Sequence, residues 1–475
     1  MIARIEKGNM MNKKYQKPNQ IMLGLLVVGF VGMFSETALN VAIPNLMQEF
    51  NVGTGTVQLL VTGYLLMIGI ILPLSSLLTR LFSTRKLAVF AMFDFIVGAV
   101  MSAVAMNFTV LFIGRLIQGI AVGILLPLIF VVLLSVYPME KRGSAMGLVG
   151  LVIMFAPAVG PTISGIILSS SSWRYIFWLF VPLILIALVL SLKFLVNVSE
   201  VTKPKVDVLS ILLSTIGFGG LVFGASLASE EGWLSTIVLV CLAVGLLCLA
   251  IYVKRQLTLA TPILNLRAFA QSEFTVGTSL VLITFGIILA SMYLIPMLWQ
   301  NGLGLSPAMT GLIMLPAGVM NAVLSIVAGR LFDSYGAKIL VRVGFVITVI
   351  GAVMFVFTPV NTSLWYILMA HVVLMIGIPL VVSPAQMYGL NALRGPISAD
   401  GSSIMNTLQQ IAGAIATAIS TSLLTFGNSH SDASLNKMSR FIQSSHYGFA
   451  FVLVLAIVGF LISLKVKGKA STVRK

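Results

Sequence analysis

The sequence predicts an all-α membrane protein with fourteen transmembrane helices, built as two six-helix bundles with a helix pair inserted between them. Three observations predict this class. The 475 residues are 59% hydrophobic and only 9% charged, whereas soluble domains carry about 25% charged residues. Apolar runs long enough to cross a bilayer, about 20 residues each, recur along the whole chain. The low charge excludes a soluble enzyme. A short basic loop also recurs at equivalent places in the two halves, which favours a duplicated membrane fold.

The apolar runs fix the order of the helices. We predict spans at about 20–44, 57–79, 87–106, 109–137, 142–168, 174–197, 208–229, 234–253, 273–299, 307–332, 338–358, 363–391, 401–427 and 446–465. The corresponding regions are a tail over 1–19, a first bundle over 20–200, the inserted pair with its linkers over 201–265, a second bundle over 266–465 and a tail over 466–475. The polar, Ser-rich stretch 428–445 is predicted to be the longest outer loop.

The positive charges orient the chain. All but four of the 29 Lys and Arg residues fall on the side of the bilayer that holds both ends of the chain. Such a bias marks the cytoplasmic side of a membrane protein, so both termini are predicted to be cytoplasmic. The net charge of +16 is therefore explained by topology, and we expect no nucleic-acid partner. The remaining four are Arg115 inside a span and Arg174, Lys437 and Arg440 outside.

The recurring loop is SSLLTRLFSTRK (Ser75–Lys86) in the first half and GRLFDSYGAK (Gly329–Lys338) in the second. Duplicated bundles of this kind hold a substrate between them near the middle of the membrane. The simplest role for the basic residues is to keep the loop inside, with a glycine making the turn. The alternative is a gate, in which Asp333 pairs with a neighbouring helix end in one conformation only. The candidate gating residues are Arg80, Gly329, Arg330, Asp333, Gly336 and Lys338.

Two acids, Glu36 and Asp94, lie well inside apolar runs. A charged side chain there costs at least about 2.5–3.5 kcal/mol, so these two are the candidates for chemistry. Arg115, in the fourth span, lies at a depth similar to that of Glu36, and Asp94 lies about a turn deeper. Arg115 then either locks the first bundle as a static ion pair or sets the proton affinity of one of the acids. Gln118 fits both interpretations.

The fifth span contains APAVGPTISG, Ala156 to Gly165. Two prolines and two glycines within one span favour a bent helix or close contact with a neighbour. We interpret Pro157, Gly160, Pro161 and Gly165 as a hinge or seal between the bundles, and plain close packing is the alternative.

Other polar and aromatic residues have simpler explanations. The aromatic run Trp173 to Pro182, and Trp299, are typical of a belt at the membrane interface. The 24 methionines fill apolar space, although flexible thioethers also suit a pocket for varied ligands. His371 is interpreted as a packed histidine that can also face a pocket. The candidate pocket residues are Asn40, Gln118, His371, Asn406, Gln409 and Gln410.

The sequence contains no phosphate-binding GxxxxGK[ST] loop and no spacing typical of a metal site. Cys241 and Cys248 are seven residues apart in one predicted helix, too far along its axis for a disulfide bond. We therefore expect no metal, no cofactor and no direct use of ATP.

Several of these segments together resemble the fourteen-span drug:proton antiporters of the major facilitator superfamily, over nearly the whole chain. SETALNVAIPNL resembles the first-span motif of that family, with Glu36 where Asp is usual, and GRLIQG resembles its fourth-span arginine motif. APAVGPTISG resembles the antiporter motif, WRYIFWLFVP the start of the sixth span, and GSSIMNTLQQIAGAI the thirteenth. GRLFDSYGAK resembles the cytoplasmic loop motif, whereas the first copy has Thr79 in place of the acid and Phe82 in place of a glycine.

The resemblance implies a multidrug exporter, driven by proton entry, that removes lipophilic and often cationic compounds from a bacterial cell. Its expected partners are the lipid bilayer, protons and small-molecule drugs, with a monomer in the plasma membrane. In this view Glu36 and Asp94 recognise the proton and the cation, and Arg115 tunes them. Two alternatives stay open: exchange of a single physiological solute or monovalent cation for protons, and a membrane receptor that transports nothing.

Overall fold

The computed structural model describes residues 17–468, except 53, 139–140, 200, 203–206, 260–261, 360–361, 394–396, 432–433, 435 and some side chains, that of Asn40 among them. The described chain is helical. Its helices are α1 Pro18–Ala38, α2 Ile43–Phe50, α3 Thr54–Leu81, α4 Thr84–Ala103, α5 Phe108–Val136, α6 Arg142–Ser170, α7 Arg174–Phe194, α8 Val208–Glu231, α9 Thr236–Thr258, α10 Ser272–Met297, α11 Pro307–Tyr335, α12 Ala337–Val356, α13 Leu364–Asn391, α14 Ile397–His430 and α15 Lys437–Ser463.

Thirteen of these helices are long and apolar enough to cross a membrane. The fourteenth is α3, whose apolar stretch Leu59–Ser75 lies within a helix of 28 residues. Only α2, with eight residues, is too short to span. The predicted fold class, an all-α protein with two bundles and an inserted pair, is confirmed.

The helices pack as two bundles. In the first, α1 contacts α6 and α7, while α4 and α5 pack on each other and α3 packs on α5. In the second, α10 contacts α13 and α14, α12 packs on α13, and α15 packs on α12 and α14. The bundles meet most extensively along α6 and α11, and a second contact joins α3 to α14.

The inserted pair, α8 and α9, covers this second contact. Helix α8 packs on both α3 and α14, with Phe218 and Val222 in one apolar cluster with Ile411 of α14 and Leu66 of α3. Arg255 at the end of α9 binds Asp207, the N-cap of α8, through two hydrogen bonds of 2.9 and 3.0 Å. Helix α8 belongs to neither bundle and contacts both, so it covers the contact between α3 and α14.

Fourteen alternating crossings bring the start of α1 and the end of α15 to one side of the bilayer, which we call the terminal face. Tyr137, just after α5, donates a hydrogen bond of 2.6 Å to Asn19 at the start of α1, as expected for helix ends on the same face. The terminal face is the side predicted to be cytoplasmic. The other side is called the opposite face.

Two predicted boundaries are wrong. The first span was expected to reach residue 44, but α1 ends at Ala38 and a 3₁₀ turn leads into α2, where Pro44 lies in the first helical turn. The stretch 428–445 was expected to be a loop, but α14 continues to His430 and α15 begins at Lys437. Asn436 caps α15 by accepting a hydrogen bond of 2.8 Å from the Ser439 amide, so a polar sequence still starts a helix beyond the apolar run.

Candidate functional site

A cavity with two compartments lies between the bundles. The first, the carboxylate compartment, is lined by residues of α1, α6, α10, α11 and α13. Glu36, Asn321 and His371 are its polar side chains, and Met33, Met292, Met314 and Met375 are prominent among the apolar ones. The methionines are flexible and polarisable, so the wall suits ligands of varied shape.

Glu36 is the only carboxylate among the residues that line this compartment. Its side chain is 6% exposed, and it accepts no hydrogen bond from the described part of the chain. A buried charge without a partner is costly, so this carboxylate requires a proton or a cation from the cavity. Glu36 is therefore placed where a ligand reaches it.

Arg115 is fully buried beside Glu36 but does not bind it directly. Its guanidinium donates to the Ser35 hydroxyl at 2.6 Å and to Gln118 Oε1 at 3.0 Å, and Nε donates to the Leu60 carbonyl at 3.3 Å. The guanidinium carbon also lies 4.0 Å from the centre of the Tyr64 ring. The described residues give Arg115 no ion pair within 4.0 Å, so the static ion pair considered above is not formed in this conformation. Arg115 is therefore close to Glu36 without a hydrogen bond or ion pair to it among the described residues.

Asp94 lies apart from this group. It is half-buried on α4, next in sequence to Phe93, which is exposed, and it does not line the cavity. Its Oδ2 atom is buried and has no hydrogen-bond partner among the described residues. The structure thus brings Glu36 and Arg115 together and leaves Asp94 outside, and a role for Asp94 in coupling stays a prediction.

The fifth-span motif packs α6 against α1. Helix α6 is continuous through Pro157 and Pro161, and Pro157 lines the carboxylate compartment. Because Pro161 has no N–H group, the Pro157 carbonyl four residues earlier lacks its helical donor. The Thr37 hydroxyl donates to that carbonyl at 3.1 Å, and a methyl group added at Gly160 would collide with the same hydroxyl. Gly165 is also buried. The hinge role of this motif stays a prediction.

The second bundle has a matching arrangement. Pro379 leaves the Met375 carbonyl of α13 without a helical donor, and Asn321 of α11 donates to that carbonyl at 3.2 Å. The Asn321 Oδ1 atom has no partner among the described residues. In both bundles, therefore, a polar side chain from a neighbouring helix satisfies a carbonyl freed by proline at the edge of the compartment.

The second compartment, the amide compartment, lies nearer the terminal face. Gln386 of α13 and Asn406, Gln409 and Gln410 of α14 line it, together with Leu126, Phe130, Met146 and Val149. Three residues, Met33, Ile153 and Phe285, line both compartments and join them. Of the predicted pocket residues, Asn406, Gln409, Gln410 and His371 line the cavity, Gln118 binds Arg115 instead, and the side chain of Asn40 lies outside the described part of the structure.

On the terminal face, an ion pair joins the two bundles. Arg80, near the end of α3, donates to both carboxylate oxygens of Asp400 at the start of α14, each at 2.7 Å. Arg80 also donates to the Pro262 carbonyl at 3.2 Å. One turn deeper, the Ser75 and Ser403 hydroxyls are 3.2 Å apart. These contacts close the space between α3 and α14 on the terminal-face side of the amide compartment.

The second terminal-face contact is made by Asp333 of α11. Its carboxylate accepts from the backbone amides of Gly143 and Ser144 at 3.0 and 2.9 Å and from the Ser144 hydroxyl at 2.7 Å. Asp333 therefore caps the start of α6 in the other bundle, where the helix dipole favours negative charge. This is the pairing with a helix end that the gating hypothesis requires.

Glycines allow this approach. A Cβ atom at Gly329 would collide with the Gly143 carbonyl, and Gly336 ends α11 with a φ of +75°, which an L side chain adopts only with strain. Arg330 and Lys338 are exposed on the terminal face, as expected for residues that orient the loop.

Two tryptophans predicted to anchor at the interface are buried instead. Trp299 follows α10 in a π-helical turn and packs its ring edge-on against His371, with centroids 5.8 Å apart. Trp173 donates its indole N–H to Glu49 at 2.6 Å. Trp299 is buried because helical structure continues past α10, whereas Trp173, at the N-cap of α7, packs against Phe177 and Phe50. Trp178 is exposed, as an interface residue should be.

Sequence reasoning missed Asn321 and Gln386, which line the cavity, and Asp400, which pairs with Arg80. Each is a single polar residue in or at the end of an apolar helix, and nothing in the sequence shows which way it faces. Within the described residues, no group of three or more His, Cys, Asp or Glu side chains could hold a metal ion.

Known proteins resemble this chain over most of its length. Residues 25–417 match the Major Facilitator Superfamily. The chain is 46% identical over 460 residues to the "Lincomycin resistance protein LmrB" of Listeria innocua serovar 6a, covering 95% of this chain and 97% of that protein. It is 28% identical over 407 residues to the "Multidrug export protein EmrB" of Haemophilus influenzae, covering 84% and 79% of the two chains.

Among solved structures, the human organic anion transporter MFSD10 (TETRAN) superposes with a TM-score of 0.68, covering 94% of this chain and 99% of that one. At 12% identity this likeness concerns the fold alone. The extent of the sequence matches decides the family: the chain is a multi-pass membrane transporter, not an enzyme, and belongs to the major facilitator superfamily.

Proposed function

We propose that the protein is a proton-coupled antiporter that exports lipophilic, often cationic drugs by alternating access. The observation that carries the proposal is the isolated carboxylate of Glu36 in a methionine-rich cavity between two bundles. A proton and a cationic drug both satisfy a carboxylate in apolar surroundings, so they compete for it. Binding of one then releases the other, and this competition couples the two flows.

The contacts on the terminal face supply the second requirement, a gate. Arg80 with Asp400, and Asp333 with the start of α6, join the bundles across the side predicted to be cytoplasmic. Rocking of the bundles would break both contacts and open the amide compartment to the cytoplasm. In this scheme drug enters from the cytoplasm or the inner leaflet, and protons reach Glu36 from the opposite face.

The names of the relatives support drug export, since one is a lincomycin resistance protein and another a multidrug export protein. We place the protein in a bacterial cell membrane as a monomer, with both termini in the cytoplasm. It needs no cofactor in this scheme, because the proton gradient supplies the energy. Arg115 holds the hydrogen-bond network next to Glu36, and Asp94 is kept as a second candidate for coupling.

The test is ethidium transport in proteoliposomes under an imposed pH gradient, comparing wild type with Glu36→Gln and Asp94→Asn. Wild-type transport should depend on the gradient and stop when an ionophore removes it. Glu36→Gln should lose gradient-driven transport by about tenfold or more, because a neutral amide cannot exchange a proton. Glu273→Gln is the matched control, since Glu273 pairs with Lys467 on the terminal face, away from the cavity.

Undiminished transport by Glu36→Gln would refute the assignment of Glu36. Transport by the wild type that ignores the gradient would refute proton coupling, and no ethidium transport at all would favour exchange of a single solute or a receptor.

A further inference from the structure

The amide compartment differs chemically from the carboxylate compartment. Its polar side chains are Gln386, Asn406, Gln409 and Gln410, and no charged or titratable side chain lines it. These four side chains are 5–8% exposed, so they are removed from bulk water. Each carries one carbonyl acceptor and two N–H donors, so the wall offers both kinds of hydrogen-bonding group.

These groups are largely unused within the protein. Asn406 donates to the Ser402 carbonyl of its own helix at 2.9 Å. Gln386, Gln409 and Gln410 form no hydrogen bond with any described residue. None of their amide atoms is among the buried polar atoms without a partner, so these groups face the open space of the compartment and can pair with a ligand there. Three such amides on one cavity wall therefore form a site for something that supplies donors and acceptors.

The two compartments are contiguous, since Met33, Ile153 and Phe285 line both. A ligand long enough to fill the cavity would meet a carboxylate at one end and neutral amides at the other. Carboxylates select cations, whereas neutral amides pair with hydroxyl and amide groups.

We propose that the amide compartment binds the uncharged, hydroxyl- or amide-rich part of an amine whose cationic group lies at Glu36. The inference rests on the proposed function, because it takes Glu36 as the cation site, and it adds a second subsite with its own ligand chemistry. Lipophilic cations without hydrogen-bonding groups fill the carboxylate compartment and gain nothing from the amides. The substrates that the site holds most tightly are therefore polar-tailed amines, in contrast to purely apolar cations.

The test compares two probes bound to the purified full-length protein in lipid nanodiscs. Lincomycin carries an amine, an amide and a hydroxylated sugar ring, and tetraphenylphosphonium is a lipophilic cation with no donor or acceptor. Gln409→Met and Gln410→Met keep side-chain length and apolar volume while removing the amide. Each should raise the Kd for lincomycin by about fivefold to tenfold, as expected for one lost hydrogen bond in a buried site, with the Kd for tetraphenylphosphonium within about twofold of wild type.

Thr417→Val is the matched control on the same helix. The Thr417 hydroxyl donates to the Gly413 carbonyl at 2.9 Å and does not line the cavity, so neither Kd should change. If a variant of α14 fails to fold, Gln386→Met makes the same test from α13. Monodisperse elution and an unchanged Tm show that each variant is folded.

Three results would overturn the proposal. Equal weakening of both probes would mean that the glutamines act through packing, and an unchanged Kd for lincomycin, or no binding of lincomycin by a wild type that binds tetraphenylphosphonium, would mean that the amides recognise nothing. The Glu36→Gln variant tests the cation site separately from the amide compartment. Loss of tetraphenylphosphonium binding in this variant is expected from the proposed function alone. If that binding persists, the cation assignment fails, whereas the response of lincomycin to the glutamine variants still decides the amide compartment.

Discussion

Replacing Asp400 by Asn should open the terminal face. The carboxylate accepts two hydrogen bonds of 2.7 Å from Arg80, with the Asp400 side chain 2% exposed and the Arg80 side chain 27% exposed. Breaking a buried pair costs about 3–5 kcal/mol and an exposed one about 0–1 kcal/mol, so we expect about 1–3 kcal/mol for this intermediate case. The closed state would lose that free energy relative to the open state, which changes their ratio by about 5–150-fold.

The assay is labelling of a cysteine placed at Val149, which is buried in the amide compartment. Native Cys241 and Cys248 are first replaced by Ala. A membrane-impermeant maleimide is added to inverted vesicles, where the terminal face is outside. The labelling rate follows the fraction of open protein, so Asp400→Asn should raise it by about fivefold or more.

Glu273→Gln is the control for this experiment. It also removes a carboxylate from an ion pair on the terminal face, but Lys467 and Glu273 are both partly exposed and belong to the same bundle. Its labelling rate should stay at the wild-type level. A rate that is unchanged in Asp400→Asn, or raised equally in Glu273→Gln, would refute the view that the Arg80 pair holds the bundles together.

Three further predictions test other parts of the structure. Gly329→Ala places a methyl group against the Gly143 carbonyl, so it should raise the labelling rate in the same assay, and a rate at the wild-type level would contradict the close approach. Arg115→Lys cannot reproduce the bonds of the guanidinium, so gradient-driven ethidium transport should fall by about tenfold or more while expression persists; full transport would show that positive charge alone suffices. The Arg255 hydrogen bonds lower the pKa of Asp207 to about 2, so the stability that Asp207 contributes is full above pH 4 and is lost as the pH falls toward 2. Asp207→Asn should therefore lower Tm by about 1–2 °C at pH 7, with a difference from wild type that shrinks below about pH 4, and a difference independent of pH would contradict the ion pair.

Much of the fold was predictable because span length is a strong constraint. The apolar runs place most helix ends within a few residues, and counting turns in antiparallel spans puts Arg115 at the depth of Glu36. The hydrogen bond from Arg115 to Ser35 agrees with that count. The helix ends that were predicted wrongly lie outside the hydrocarbon core. There, capping groups such as Asn436 decide where a helix begins, and hydropathy does not.

The residues that contact the predicted site residues were harder to predict from the sequence. Arg80 was a gate candidate without a partner, because Asp400 lies more than 300 residues later in sequence and meets it only when α3 packs on α14. Gln386 and Asn321 resembled any single polar residue in an apolar helix. Which face a helix turns to the cavity depends on how all its neighbours pack, and hydropathy does not determine that when the whole helix is apolar.

The central claim, that Glu36 exchanges a proton for a drug, is tested most directly by counting protons. Saturating tetraphenylphosphonium is added to the purified protein in weakly buffered solution near neutral pH, and the release of protons is followed with a pH-sensitive dye. We predict release of up to about one proton per bound cation in the wild type and none in Glu36→Gln. Binding without proton release in the wild type, or equal release in Glu36→Gln, would contradict it.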